Sequence, residues 1–373
     1  MDRKVFVAIV VAVIVVVGVV SAALLLSMRE KPGAVYYTPL APANMKAALA
    51  TNQVDAYVAW EPYVSDSVAS NVGEVLLWSE DIMPNHPCCV VVLRTAFLSE
   101  PNGPELVKRF VKAHVEATEW MVDALSDKTS ENYTLLVNMA VDFTARNATV
   151  VEAAFEHLQY RYSMDADFLS ALAEFTDMYI DLNMTTSQKV TDRGYSDVDD
   201  FIGKYTNTSY LESAATVTPS TILNPTSPIR LGYLLGDLHQ MAQVVAQNDS
   251  FSTDGKSFFE RYGVAVVAAP NAPFTVGGAE MDAFAAGTVD LGYLGAPPAL
   301  LKHLNGGTGT QIVAQANAEG SGLVVRSGAG ITTLEGLVNK TVAVPGPPAE
   351  SSIQFLLLKI ALDKEGLELK VKT

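Results

Sequence analysis

The stretch "VDAYVAWEPY", Val54 to Tyr63, returns in altered form as "VDLGYLGAPP", Val289 to Pro298. Each copy follows a small-residue helical run led by a methionine, "MKAALATNQ" from Met45 and "MDAFAAGT" from Met281. The chain therefore carries one helix–Asp–strand–loop unit twice, with different residues at the loop. In open α/β sheets, ligands sit beyond the carboxyl ends of strands, where loops and helix N-termini converge. Two such units can face each other from two lobes and close on a shared ligand. Asp55 and Asp290 end matching helix–strand turns and read as structural, because Asp is favoured in turns.

Outward from this repeat, apolar β-rich runs alternate with helical ones. Strand-like stretches cover 34–37, 54–60, 74–79, 88–94, 229–234, 264–269, 289–294, 310–316, 322–326, 341–345 and 367–372. Between most of them lie amphipathic or alanine-rich helices such as Glu280–Ala286, Pro298–Leu304 and Ser351–Lys364. Alternation with near-continuous apolar strands points to an α/β fold with mostly parallel sheets. From 104 to 214 the pattern turns wholly helical. The Thr/Ser/Pro/Asn-rich segment 215–228 then reads as a linker before a fresh βα series at Ile229.

With 373 residues, 49% of them hydrophobic and 18% charged, the chain can bury a substantial core and fits two domains or one bilobal unit. Its formal net charge of −16 excludes a polyanion partner such as nucleic acid, which needs a dense Lys/Arg face. Val5 to Met28 carry no charged side chain and are long enough for a transmembrane signal-anchor. A cleaved signal peptide is the rival reading, with "VSA" at Val20–Ala22 as its processing site. Either implies export, and six N-x-[ST] sequons agree with it. The two cysteines, Cys88 and Cys89, are neighbours on an apolar strand and read as small core residues. The five scattered histidines show no zinc-type spacing, so no metal and no cofactor is expected.

Six longer motifs carry a resemblance: "IRLGYLLGDLHQMAQVVA", "GGAEMDAFAAGTVDLGYLGAPPALLKHLNGG", "QIVAQANAEGSGLVV", "LVNKTVAVPGPPAESSIQFLLLKIALDKEGLE", "APANMKAALATNQVDAYVAWEPYVSDSV" and "DIMPNHPCCVVVLRTAFL". Together they resemble the nitrate/sulfonate/taurine/thiamine-precursor class of ABC-transporter substrate-binding proteins, from Ala34 to Thr373 except the linker. The resemblance implies a periplasmic-binding-protein-like, type II, two-lobed fold with a two-crossover hinge that closes on its ligand. The order of segments departs from that class. A typical member would begin near Ile229, run through "LELKVK", continue directly into something like "AVYYTPLAPANM", and end with the helical block. The order resembles a circular permutation; a rearranged gene or a fragment of a tandem fusion would give the same string. On this reading one lobe covers 88–326, with helical block 104–214 and linker 215–228. The other is assembled from 34–83 and 334–373. The hinge crossings are expected near Pro84–Pro87 and near Ser327–Thr333, punctuated by Gly328 and Gly330.

The resemblance implies ligand contacts from Gly236, Asp237 and His239; from Gly295, Ala296 and Pro297; and from Asn317 and Glu319. From the facing lobe it implies Gly346, Ser351 and Ser352 with Trp60, Glu61 and Tyr63. The helix N-termini after Gly295 and Gly346 are expected to present N–H groups to a sulfonate, nitrate or carboxylate. Helix capping is the alternative role of Ser351 and Ser352, as packing is of Trp60 and Tyr63 and a structural role of His239. Glu61, facing the cleft, would suit an ammonium or ring N–H. These features describe a membrane-tethered, extracytoplasmic solute-binding protein that passes a small organic anion or zwitterion to an ABC permease, and not an enzyme. Two alternatives stand beside it: a ligand sensor, and an enzyme of pyrimidine or cofactor biosynthesis using Glu319 and His239 as acid and base.

Overall fold

The two copies of the repeated unit fall in different sheets. The computed structural model describes residues 33–372. The expected span 5–28 lies outside the described residues, and among those described no helix is long and apolar enough to cross a membrane. Thirteen strands, β1 to β13 in chain order, form three sheets among the described residues. The six-stranded sheet runs β13 (Glu368–Val371), β1 (Ala34–Leu40), β12 (Thr341–Pro345), β2 (Ala56–Trp60), β11 (Ser321–Arg326), β3 (Gly73–Trp78). The five-stranded sheet runs β7 (Val266–Ala268), β6 (Ile229–Gly232), β8 (Leu291–Gly295), β4 (Cys89–Arg94), β9 (Thr310–Gln315). A short pair joins β10 (Asn317–Glu319) to β5 (Leu158–Tyr160).

In each large sheet one strand, β11 or β4, runs against all the others. β13, β1, β12 and β2 pair in parallel, while β11 runs antiparallel to β2 and β3. β7, β6 and β8 are parallel, and β4 is antiparallel to β8 and β9. By strand direction both large sheets are mostly parallel, as expected, each interrupted by one reversed strand. β4 and β11 are the first strands after the chain passes from one sheet to the other. Neither is delivered by a crossover helix of its own sheet, so neither inherits the parallel direction.

Those two passages form a narrow ribbon. Cys88 N donates to Asn317 O at 3.2 Å, Glu319 N donates to His86 O at 3.1 Å, and Pro87 bridges Ala318. The second passage therefore lies at 316–320 and not at Ser327–Thr333. Ser321–Arg326, expected in the lobe 88–326, belongs to the six-stranded sheet, because its buried face completes the ladder between β2 and β3. Gly328 and Gly330 sit in a loop beyond it, with open space around them. The left-handed residues that let the chain turn at the passage are Glu319 and Gly320 (φ 63° and 82°). At Gly320 any Cβ would strike the His239 ring, so only glycine fits.

The two ends of the described chain meet in the six-stranded sheet, Ala34 opposite Glu368 and Tyr37 opposite Val371. They lie side by side, not end to end as one continued strand. Joining Val371 to Ala34 would need a connecting segment. The segment 215–228 has no regular structure but is pinned down: Asn224 donates to Ser227 O and Ala265 O and accepts from Ala265 N. The helical block holds one element its pattern hides, β5, three residues long and paired only with β10. The block's long helix Gly103–Ser126 buries Leu106, Val107, Phe110, Val111, Ala117 and Met121, the i, i+3/i+4 stripe of a surface helix.

Candidate functional site

β2 ends at Trp60 and β8 at Gly295, and both line one cleft between the two large sheets. Its water-accessible volume is about 40 Å³, room for about three waters. Two helix N-termini open onto it from opposite sides. The helix Gly277–Ala285 presents Gly277 and Gly278, and the helix Ile353–Lys364 presents Ile353 and Gln354. The first N–H groups of a helix have no intrahelical acceptor and carry the positive end of its dipole. A Cβ on Gly278 would sit 3.8 Å from Pro348 Cδ and 4.0 Å from Ser351 Oγ, so the two helix ends face one another closely. Gly277 lets its helix pack against the helix Ala296–Gly306, since a Cβ there would lie 2.8 Å from Pro298 Cγ. Ser352 caps its helix, accepting from Phe355 N at 3.2 Å and donating to Ala349 O at 2.7 Å. The Ser351 hydroxyl donates to Pro348 O at 2.9 Å.

Trp60 supplies a further donor. Its ring is 5% exposed, yet Nε1–H finds no acceptor among the described residues. A buried indole N–H without a partner costs about 1–3 kcal/mol, a cost that a ligand acceptor would remove.

The floor is polar. Asp237 and His239 are each 1% exposed, and Asp237 Oδ1 lies 3.0 Å from His239 Nδ1. Burial alone would lower the imidazole's pKa, but the Asp237 carboxylate more than offsets it and raises it. The pair is then an imidazolium and a carboxylate that neutralise each other. His239 Nε2 lies 3.0 Å from Gly320 O. Beside the pair stand Cys88 and Cys89, each 2% exposed, and burial pushes the Cys89 thiol well up.

Of the residues implied by resemblance, the cleft brings together Trp60, Asp237, His239, Gly295, Ser351 and Ser352. The rest are placed elsewhere, for stated reasons. Glu61 is fully buried with both carboxylate oxygens spent on Ser65, one on its N–H at 3.0 Å and one on its hydroxyl at 2.6 Å. It turns back onto the helix that follows it and offers no carboxylate oxygen to a ligand ammonium. Tyr63 donates to Leu235 O at 2.9 Å across the two halves, under the Arg146 guanidinium. Gly236 turns the chain toward Asp237 with φ 58° and does not line the cleft. Asn317 ties the passage, accepting from Cys89 N at 2.9 Å and donating to Ala318 O. Glu319 accepts from Asn85 N at 2.7 Å and from Gln159, so it is not free to act with His239 as acid and base. Gly346 makes the tight turn into Ala349, where a Cβ would meet Ala349 N at 2.6 Å.

Ala296 and Pro297 start the helix Ala296–Gly306, whose N-terminus was expected to hold the anion. Ala296 N is already bonded to Cys88 O at 2.8 Å, and Pro297 and Pro298 have no N–H to offer. The donors come instead from Gly277 and Gly278. The signal was the "VGG" opening a helical run, which reads equally well as a plain turn. Cys88 and Cys89 were also missed, since nothing in their spacing points to His239, about 150 positions further along the chain.

The model of the NMT1-like family matches residues 31–135, and over that stretch the chain is similar to this family. The match spans β1 to β4, the first passage and the long helix Gly103–Ser126, and it agrees with the resemblance read from the motifs there. No curated protein and no solved structure matches the chain.

Proposed function

We propose that this protein is an extracytoplasmic solute-binding protein that captures one small anion in the cleft and delivers it to an ABC permease. The observation that carries the reading is the buried, unpartnered Nε1–H of Trp60, a residue lining the cleft onto which two helix N-termini open. Anions bind at helix N-termini without any arginine cluster, which reconciles anion capture with a net charge of −16. The His239 imidazolium cancels the Asp237 carboxylate, leaving the N–H groups to set the sign. With Glu61 turned away, nothing favours a ligand ammonium, so nitrate, bicarbonate or a simple sulfonate fits better than taurine. The small cleft volume requires the two halves to part for entry, and the double ribbon at 83–88 and 316–320 is the hinge about which they would do so.

Residues 5–28 would tether the protein to the membrane. The similarity to the NMT1-like family favours a binding protein over an enzyme. The segment order fits a circular permutation whose break falls inside the six-stranded sheet, where strands from both ends pair.

The test is thermal unfolding of the whole chain with nitrate, bicarbonate, alkyl sulfonates, taurine and aminopyrimidines. A ligand at 100 times its Kd should add about 2.7 kcal/mol. A rise in Tm with one small anion is expected; no rise with any of them overturns the proposal.

A further inference from the structure

The floor of the cleft carries chemistry that anion capture does not use. Cys88 comes from the first passage, Cys89 from the start of β4, and His239 from the short turn Leu238–Gln240. Their Sγ, Sγ and imidazole nitrogen atoms all lie within 4.8 Å of one another. Cys88 Sγ is 3.7 Å from His239 Nδ1, and Cys89 Sγ is 3.7 Å from Asp237 Oδ2. On a tetrahedral zinc ion, sulfur at about 2.3 Å and nitrogen or oxygen at about 2.0–2.1 Å stand about 3.6 Å apart. The side chains are therefore already spaced as ligands of one ion.

The surroundings fit the same purpose. Gly320 O faces His239 Nε2 at 3.0 Å and holds the proton there, so Nδ1, which faces Asp237 Oδ1 at 3.0 Å and Cys88 Sγ at 3.7 Å, is the nitrogen that would exchange its proton for a metal. Metal-binding histidines are commonly fixed by such a carbonyl on the second nitrogen. Gln240 Nε2 donates to Asp237 Oδ2 at 3.1 Å and orients the carboxylate toward Cys89. Thiolate ligands exclude the hard cations calcium and magnesium, which take oxygen.

We propose that Cys88, Cys89 and His239 form a binding site for a thiophilic divalent cation of the zinc class, with Asp237 as the adjoining carboxylate. On binding, two S–metal bonds and one N–metal bond form. The two thiol protons and the Nδ1 proton leave to solvent, and the two thiolates neutralise the dication in its buried site. Two sulfurs and one imidazole, on a cleft-facing floor, match the composition of sites that keep a fourth position open. The proposal does not rest on the anion reading.

The whole chain, reduced and stripped with a chelator, is titrated with Zn²⁺ against a competing chromophoric chelator, with no candidate anion present. Co²⁺ is titrated in parallel as the optical probe. Because the chain has only two cysteines, a thiolate-to-cobalt charge-transfer band reports on this site alone. One zinc per chain is expected, with a near-ultraviolet band in the cobalt form. Cys88→Ser with Cys89→Ser should abolish the band and weaken zinc at least about 100-fold, more than loss of an outer-shell group. Asp237→Asn should weaken it about tenfold. If the double variant does not fold, the cobalt spectrum of the native chain decides. No band at saturating cobalt, no bound zinc, or a band that survives the double substitution overturns the proposal.

Discussion

The two copies of the repeated unit do the same structural work and opposite chemical work. In each, the helix buries its leading methionine, Met45 or Met281, and the Asp after it accepts the N–H of a residue in the parallel neighbour strand. Asp55 Oδ2 takes Thr341 N at 2.9 Å, and Asp290 Oδ2 takes Arg230 N at 3.0 Å. At the strand tips they diverge. β2 ends in Trp60, which lines the cleft with a bulky ring and an unpartnered indole N–H; β8 ends in Gly295, which has no side chain and leaves room. The copy that matters for stability is not the copy that matters for the ligand.

The largest expected effect separates the two aspartates. Asp290, with a side chain 3% exposed, also takes Arg94 at 2.6 Å and a two-point contact from Arg230. Asp290→Ala removes the carboxylate partner of Arg230 and leaves Arg94 with only Glu100 and Val289 O, and should cost about 3 kcal/mol. Asp55 is 29% exposed, with only Lys340 at 3.7 Å beyond its strand contact, so Asp55→Ala should cost about 1 kcal/mol. Denaturant unfolding of both variants checks this, and equal losses would break the comparison.

Next comes pH. Burial raises the Glu61 carboxyl from 4.5 to about 7, against two opposing hydrogen bonds from Ser65. Its folded value lies above its unfolded one, so the associated stability is full below about pH 4.5 and is lost as pH rises through 7. A shift of that size corresponds to about 3 kcal/mol. His86 and His114 act in the opposite sense. Burial lowers both to about 4, so their contribution is full above about pH 6.5 and lost as pH falls through 4. Comparing native chain with Glu61→Gln isolates the carboxyl. The variant should gain about 3 kcal/mol on the native chain between pH 4 and pH 8, and a flat difference would mean that Glu61 is not buried as an acid.

The smallest effects lie at the strand tips. Trp60→Phe keeps the ring and removes the N–H, and should weaken the anion about tenfold, about 1.4 kcal/mol, with little loss of stability. Gly295→Ala should leave stability within about 0.5 kcal/mol, because its φ is −58° and the new Cβ makes only ordinary contacts, with Pro298 Cδ at 3.5 Å, Pro298 Cγ at 3.7 Å and Cys88 O at 3.9 Å. Intruding into the cleft, it should still weaken binding a few-fold. Calorimetric titration with the anion found by unfolding checks both.

Strand positions were legible because buried strands of an α/β protein are short apolar runs, and "TVAVP" (Thr341–Pro345) or "CVVVLR" (Cys89–Arg94) can be little else. The sheet to which a strand belongs was less so. β11 resembles any apolar strand, and only its pairing with β2 and β3 removes it from the lobe that precedes it in sequence. Trp60 and Gly295, singled out by their position on the repeated unit, both line the cleft. Of the two helix N-termini expected to donate, the one after Gly346 opens onto the cleft and the one after Gly295 does not, since an N–H has no letter in the sequence and its availability depends on neighbours such as Cys88 O. The Cys88–Cys89–His239 cluster left no local trace because tertiary packing alone assembles it.

The most direct test of the account observes Trp60 itself. The chain has three tryptophans, so a nitrogen-15 correlation spectrum contains three indole N–H signals, and Trp60→Phe identifies the one of interest. Titration with the stabilising anion should move that signal alone, saturating at the Kd that explains the rise in Tm. An anion that stabilises the protein while the Trp60 signal stays in place would contradict the account.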